Sequence, residues 1–127
     1  MNSLWDTTLT GTLGELITQT YLLAHGVQAA PPIKDSGNDL IAIRGHTFKA
    51  VQVKTRSDGL IVKPDPDKSY HILATVHLPT DADDVPLIAK ARVFLFSKDT
   101  VENGLSEKVD NHPEAVISDT LVQKLWI

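Results

Sequence analysis

The sequence contains no cysteine, a single methionine and few aromatic residues, which make up 6% of the chain. The absence of cysteine excludes a disulfide scaffold, a thiolate metal site and a cysteine nucleophile. No apolar run approaches the roughly 20 residues that a membrane-spanning helix needs, so we expect no membrane partner. The first residues, "MNSLWDTT", lack the basic and apolar regions of a secretory signal. Together these absences predict a cytoplasmic protein.

Length and composition are those of one globular domain. The chain has 127 residues, of which 42% are hydrophobic and 22% are charged. This is enough apolar material for one core, and the charge is too low for a disordered chain. We therefore expect a single domain that spans residues 1–127.

The charge is unevenly distributed along the chain. The net charge of −4 has the wrong sign for a generic nucleic-acid binder. Residues 1–63 hold six Lys or Arg and five Asp or Glu, a net +1, whereas residues 64–127 hold six and eleven, a net −5. Any affinity for anions is therefore expected in the first half.

Apolar periodicity predicts a helix over residues 9–25, ended by Gly26. Its apolar stripe is expected to consist of Leu9, Leu13, Leu16, Ile17 and Ala24. Alternating or wholly apolar segments predict strands at 39–44, 47–54, 70–78 and 91–96, with a further short strand at 60–63. Two more helices are expected at 98–105, capped by Ser97, and at 118–126, capped by Ser118 or Asp119. The order indicates an α/β domain with a mixed β-sheet flanked by helices.

Polar residues stand where the first two predicted strands meet, in "DSGNDLIAIRGHTFKAVQVKT". With "RGH" as the turn, Asp39 at the start of one strand comes near Gln52 and Lys54 at the end of the other. Gln52 and Lys54 share a face because side chains alternate along a strand. Carboxylate and amide oxygens suit a hard divalent cation such as Mg²⁺. An ammonium beside them could orient or deprotonate a water or stabilise a phosphate.

These residues resemble the PD-(D/E)xK nuclease superfamily, which includes many restriction enzymes and Holliday-junction resolvases. The resemblance rests on a glutamate in the first helix ("GTLGEL"), on "GNDL" opening a strand and on "QVKT" ending the next. It implies that Asp39 is the catalytic aspartate, that Gln52 occupies the (D/E) position and that Lys54 is the motif lysine. Glu15 is similar to the helix glutamate that assists the metal in resolvase-like members. The implied fold is a restriction-endonuclease-like α-β-β-β-α-β core.

The implied activity is endonucleolytic hydrolysis of DNA phosphodiesters with Mg²⁺ or Mn²⁺ as cofactor. Asp39, Gln52 and Glu15 would be the metal ligands, and Lys54 would act on the water and the phosphate. Phosphate contacts are expected from Lys34, Lys49, Thr55 and Arg56. A single small domain would reach both strands of a duplex as a twofold homodimer.

Two positions depart from the superfamily pattern. Asn38 stands where the name motif has proline, and Gln52 replaces an acid. The glutamine removes one negative charge and should weaken divalent binding. These departures, together with the acidic second half, favour an alternative: a catalytically inactive nuclease-fold module. Such a module would bind nucleic acid or serve as an immunity or inhibitor-type protein.

Each candidate residue also has a purely structural interpretation. Asp39 could accept hydrogen bonds from backbone amides in the preceding turn, and Gln52 and Lys54 could form a solvated strand end. Glu15 could close a capping box with Thr12, which would start the helix at residue 13. Trp5 and Trp126, near the chain ends, are expected to anchor the termini on the core or to form an oligomer contact.

Overall fold

The computed structural model describes residues 7–33 and 39–127 and shows the predicted single α/β domain. Lys34, an expected phosphate contact, and Trp5, an expected anchor, lie outside these residues. The elements are α1 Thr7–Ala24, β1 Gln28–Ala30, β2 Leu40–Arg44, β3 Thr47–Arg56, β4 Ile72–His77, β5 Arg92–Ser97, α2 Lys98–Glu102 and α3 Asp119–Leu125. Short 3₁₀ turns lie at 88–90, 109–111 and 113–115.

The five strands form one mixed sheet in the order β1-β2-β3-β4-β5. All neighbours are antiparallel except β3 and β4, which run parallel. Residues 57–71, all described by the structure, make the crossover between these two strands as irregular chain without a regular helix. The α-β-β-β-α-β order would place a helix in this connection.

Two of the predicted strand assignments need correction. Residues 60–63 do not form a strand, because Leu60 makes only an isolated bridge with Lys108. The sequence analysis also missed β1, whose three residues are too few to show an alternation. Helix α2 is shorter than the predicted 98–105, but Ser97 caps it as expected by accepting a hydrogen bond from the Thr100 N–H.

Helix α1 begins before the proposed capping box, so the capping-box interpretation of Glu15 is wrong. Thr12 is the sixth residue of α1 (Thr7–Ala24) and does not lie at the helix start. An interior residue has its backbone N–H engaged by the helix itself and leaves no orphan donor for a glutamate to satisfy. Gly26 ends the helix as predicted, with a φ of 82° that favours glycine.

The buried face of α1 differs from the predicted apolar stripe. Leu9 and Leu16 are 43% and 53% exposed, whereas Ile17 and Leu22 are buried. The helix contacts the sheet through small residues as well as large ones, since Gly14 is buried and Thr18 is fully buried. The Thr18 hydroxyl donates to the Gly14 carbonyl at 2.8 Å, which satisfies it inside the helix. Close approach of backbones therefore matters more here than apolar volume.

The sheet has an apolar cluster on each face. The larger cluster packs under α1 and α3 and includes Leu22, Val51, Ala74 and Trp126; we call this side the α1 face. The smaller cluster, on the opposite face, includes Tyr70, Leu73, Phe94 and Phe96. No helix within the described residues is long and apolar enough to cross a membrane.

The C-terminal helix is anchored as the sequence predicts. Ser118 caps α3 by accepting a hydrogen bond from the Leu121 N–H. Trp126 is 2% exposed, and its indole Nε1–H donates to the Ala42 carbonyl at 3.2 Å. The tryptophan thus serves as a terminal anchor on the core.

Candidate functional site

Asp39 directly precedes Leu40, the first residue of β2, at the end of the hairpin where β3 extends beyond β2. The register pairs Leu40 with Val51, so residues 52–56 of β3 have no strand partner on the β2 side among the described residues. The Asp39 carboxylate oxygen Oδ2 accepts there from the Val53 backbone N–H at 2.8 Å and from the Gln52 amide Nε2 at 2.9 Å. The contact between Asp39 and Gln52 expected from the hairpin is therefore present. The geometry also gives Asp39 a structural role as the cap of an unpaired strand amide.

Gln52 is a buried polar side chain, and only one of its two polar atoms is hydrogen-bonded to a described residue. It is 4% exposed, and its Nε2 donates to Asp39, but its Oε1 has no hydrogen-bond partner among the described residues. A buried acceptor left unpaired costs about 1–3 kcal/mol. Gln52 and Leu73 are cross-strand partners on the face opposite α1.

Glu15 reaches the same cluster from α1. Its carboxyl group lies close enough to that of Asp39 for the two to interact, and its pKa is raised by partial burial first and by the Asp39 charge second. Two neighbouring carboxylates repel each other unless a proton or a cation lies between them. The helix glutamate expected from the resemblance therefore lies beside Asp39.

Lys54 follows Gln52 on the same face of β3 and is half-buried. Its ammonium makes no ion pair with any residue in the described ranges. It lines a surface groove of about 490 Å³ beside the end of β3. The groove is also lined by Thr10, Gly11, Val53, Thr55, Arg56, Ser57, Leu78, Thr80, Asp84 and Pro86.

The expected phosphate-contact residues are not gathered at one place. Arg56 lines the groove near Lys54 but is paired with Asp58, its Nε donating to Oδ1 at 3.0 Å. Hydrogen bonding to the guanidinium holds the pKa of Asp58 well below its usual range. Thr55 also lines the groove, but its hydroxyl oxygen is buried toward Gly14 of α1. Lys49 lies opposite Ala42 in the register of β2 and β3. Its side is the α1 face, and it is five residues along β3 from Lys54.

Thr75 lies beside the candidate site but was not predicted from the sequence. It pairs with Lys54 across β3 and β4, is 1% exposed, and its hydroxyl has no hydrogen-bond partner among the described residues. Alternation puts it on the same face as Gln52 and Lys54. The only signal in the sequence is a polar residue among the apolar ones of "ILATVH".

The donors present fit a divalent cation held by mixed ligands. Octahedral Mg²⁺ ligands at about 2.1 Å lie about 3.0 Å apart when adjacent. The Gln52 amide and the Asp39 carboxylate are already 2.9 Å apart, and turning the amide over would put Oε1 in the position of Nε2. No group of three or more His, Cys, Asp or Glu in the described residues could hold a metal ion. A cation here would therefore need Gln52 as a ligand beside Glu15 and Asp39.

Comparison with known proteins gives a likeness of fold. No protein-family model and no curated protein matches the sequence. Among solved structures, the bacterial homing endonuclease I-Ssp6803I is similar, with a TM-score of 0.60 and 16% sequence identity. The likeness covers 94% of this chain and 91% of that one. At this identity it establishes a shared fold, a single α/β domain with a five-stranded mixed sheet.

Proposed function

We propose that this protein is a divalent-metal-dependent endonuclease acting on DNA, of the PD-(D/E)xK type with glutamine at the (D/E) position. The observation that carries the proposal is the half-buried Glu15–Asp39–Gln52 cluster, in which the buried Gln52 places its amide 2.9 Å from the Asp39 carboxylate and its Oε1 lacks a partner among the described residues. Purely structural polar clusters satisfy their buried atoms. The likeness to a homing endonuclease fold supports the same conclusion.

Three side chains would hold Mg²⁺ or Mn²⁺: the Asp39 and Glu15 carboxylates and the Gln52 amide oxygen. Binding requires Glu15 in its ionised form and requires Gln52 to turn its oxygen toward the carboxylates. When bound, the cation supplies positive charge that polarises a phosphate oxygen and lowers the pKa of an attacking water. The burial of Gln52 keeps bulk water from competing for the ligand atoms.

Lys54 is the residue that would act on the scissile phosphate. Its ammonium lies on the same strand face as Gln52, two residues along, and makes no ion pair within the described residues. Because it is half-buried, its charge is less screened than that of a surface lysine. It would orient the attacking water and stabilise the charge that builds on the phosphate oxygens in the transition state.

The groove beside the cluster would take the DNA backbone. Arg56 lines the groove and would exchange its bonds to the Asp58 carboxylate for a phosphate group, which can accept two hydrogen bonds in the same geometry. Both groove cations, Lys54 and Arg56, belong to the half of the chain that carries net positive charge. The groove thus concentrates the protein's affinity for anions where the chemistry is proposed.

The second candidate function is a binding module that keeps the fold without cleavage. It is favoured by the two hydrogen bonds to Asp39 Oδ2 from Gln52 and Val53, which give the aspartate a structural role. Such a module would bind DNA through the groove, or a basic protein through the acidic second half.

The experiment that separates the two is nicking of supercoiled plasmid in Mg²⁺ or Mn²⁺. The parent protein should nick, and EDTA should stop it. Lys54→Ala should lose at least about 100-fold in rate, the effect of removing one preorganised charge from a transition state. Lys124→Ala, which removes an exposed lysine from α3, is the matched control and should nick like the parent.

The binding module predicts a different result for the same proteins. The parent would bind plasmid and slow its migration in a gel-shift assay, but it would not nick the plasmid in Mg²⁺ or Mn²⁺. Cleavage of equal rate by the parent and by Lys54→Ala would remove Lys54 from the mechanism and indicate a contaminating nuclease.

A further inference from the structure

The β2–β3 hairpin is a basic element in an acidic protein. Residues 40–57 hold four Lys or Arg and no Asp or Glu, whereas the rest of the chain holds eight and 16. The hairpin therefore carries +4 and the remainder −8. Arg44, Lys49 and Lys54 make no ion pair with any residue that the structure describes. Unneutralised cations gathered on one element of an anionic protein are typical of a surface that contacts a polyanion.

The end of this hairpin, residues 44–49 with the sequence "RGHTFK", projects from the sheet; we call it the hairpin tip. Pairing with β1 stops one residue before the tip, and pairing with β4 begins after it, so within the described ranges the tip has no further strand beside it. Arg44 pairs with Thr47, which leaves a two-residue turn of Gly45 and His46. Gly45 has a φ of 60°, as the first central residue of a type II′ turn requires. The tip is therefore a short, tightly turned two-stranded ribbon.

The two faces of the hairpin tip differ in chemistry. Arg44 and Lys49 lie on the α1 face, because Arg44 is two residues beyond the core residue Ala42 and Lys49 lies opposite Ala42. The other face presents Phe48, whose side chain is 62% exposed and pairs across the hairpin with Ile43. The tip thus combines cations, which contact phosphates, with an exposed aromatic ring, which contacts bases.

We propose that the hairpin tip enters the major groove of duplex DNA, with Arg44 and Lys49 on phosphates and Phe48 against base edges. The major groove is about 12 Å wide and admits a two-stranded ribbon, whereas the minor groove is about 6 Å wide. A phenyl ring reads the thymine methyl group by apolar contact, so Phe48 would favour sites that contain thymine. The tip also gives a role to Lys49, which lies too far along β3 to join the groove beside Lys54.

The position of the tip relative to Lys54 adds a distance, and this step rests on the proposed function. Thr47 lies seven residues before Lys54 on the same strand, a separation of about 23 Å at about 3.3 Å per residue. Phe48 and Lys54 share a strand face, so one duplex along β3 can contact both. At about 3.4 Å per base pair, the tip would meet bases about seven pairs from the phosphate that Lys54 contacts. The bases that are recognised would therefore lie outside the step that is cleaved.

The first test is the binding of a fluorescent DNA duplex in EDTA, measured by anisotropy over a range of salt concentrations. Arg44→Ala and Lys49→Ala should each weaken binding and reduce the slope of log affinity against log salt by about 0.9, the value for one lost phosphate contact. Phe48→Ala should weaken binding about fivefold and leave the slope unchanged, because the ring contacts no phosphate. Lys63→Ala removes an exposed lysine from the crossover and is the matched control, with the affinity and slope of the parent. Circular dichroism should show all variants folded.

The second test locates the tip on the DNA and uses the absence of cysteine from the chain. His46→Cys places a single thiol on the exposed turn, where an iron–EDTA reagent can be attached. The hydroxyl radicals that this reagent generates should cut the bound duplex next to the tip. The same reagent on Gln123→Cys, at the exposed side of α3, should leave the duplex uncut.

A parent that does not bind the duplex, or that binds a single strand of the same length more tightly, overturns the proposal. So do Arg44→Ala and Lys49→Ala variants with the slope of the parent, a Phe48→Ala variant with its affinity, or a His46→Cys conjugate that cuts no more than the Gln123→Cys conjugate. These measurements need neither Mg²⁺ nor Mn²⁺, so they are independent of cleavage by the protein. Contact at the tip without nicking of plasmid would overturn the proposed function alone, and nicking without contact at the tip would overturn this inference alone.

Discussion

At the scale of single residues, the proposed chemistry depends most on Gln52. Its amide oxygen supports a cation without formal charge, so the site is weaker than one built from three carboxylates. The burial of Gln52 and its 2.9 Å contact with Asp39 leave little room for another ligand to replace it. The glutamine therefore sets the divalent affinity, and Gln52→Glu and Gln52→Ala should change that affinity in opposite directions.

Gln52→Glu should tighten Mn²⁺ binding about tenfold, and Gln52→Ala should weaken it. An added charge beside a divalent ion gains a few kcal/mol at an effective dielectric constant of about 20, and pairing with Lys54 and desolvation reduce that gain. Calorimetric titration measures both effects. Gln123→Glu makes the same change on the exposed side of α3 and should bind like the parent. Equal affinity in all four proteins would remove Gln52 from the ligand set.

Glu15 should give the protein a pH dependence that a cation reverses. Burial and the Asp39 charge raise its pKa from 4.5, so the folded state holds its proton more tightly than the unfolded state does. Its contribution to stability is present below pH 4.5 and is lost as the pH rises through the raised value. In EDTA above that value, Glu15→Gln should therefore melt at a higher temperature than the parent, and the difference should vanish near pH 4.

Excess Mn²⁺ should reverse that order at neutral pH, because the cation stabilises only the protein that keeps the carboxylate. Thermal unfolding in EDTA and in Mn²⁺, at several pH values, gives all four curves. If the parent and Glu15→Gln keep the same order with and without Mn²⁺, Glu15 is not a ligand.

At the scale of elements, the packing of α1 on the sheet places Glu15 in the cluster, and Gly14 permits that packing. A Cβ at Gly14 would overlap the Thr55 hydroxyl oxygen and lie 2.9 Å from Thr55 Cβ. Gly14→Ala should destabilise the fold by up to about 2 kcal/mol, because a gain in helix propensity of about 1 kcal/mol offsets part of an overpacking cost of about 1–3 kcal/mol.

Gly11→Ala is the control for this prediction, because Gly11 is exposed on the same helix and a Cβ added there would meet no described atom of another element within 4 Å. It should stabilise the fold by up to about 1 kcal/mol through helix propensity alone. Urea denaturation of both variants checks the contrast. A Gly14→Ala variant as stable as Gly11→Ala would show that α1 does not sit tightly on β3.

Local patterns predicted most of the elements, and their failures have physical causes. Strands β2 to β5 lie within two residues or so of the predicted bounds because each is long enough to show alternation or an apolar run. The capping box failed because Thr12 is the sixth residue of α1, where the helix already engages its backbone N–H. The predicted stripe failed because Gly14 and Thr18 carry no apolar signal yet face the core.

At the scale of the whole molecule, strand partners were harder to predict than strands. The parallel pairing of β3 with β4 depends on a crossover of irregular chain. No local sequence pattern predicts such a crossover. The pair Asp39 and Gln52 was predictable because a short turn fixes hairpin register. The approach of Glu15 was expected only from the family resemblance, and Thr75 was missed because a buried threonine has no periodic signature.

The proposed function depends first on a divalent cation bound at Glu15, Asp39 and Gln52. Titrating Mn²⁺ into the metal-free protein in a calorimeter tests it most directly, with Asp39→Asn as the companion variant. Asparagine keeps an oxygen for the Val53 N–H and so preserves the strand cap while removing the charge. We expect one saturable site in the parent and at least about a tenfold loss of affinity in Asp39→Asn. Asp39→Asn should melt no lower than the parent in EDTA, because the strand cap is kept and the repulsion with Glu15 is removed. A parent that shows no binding heat at millimolar Mn²⁺, or an Asp39→Asn variant that binds as tightly as the parent, would contradict it.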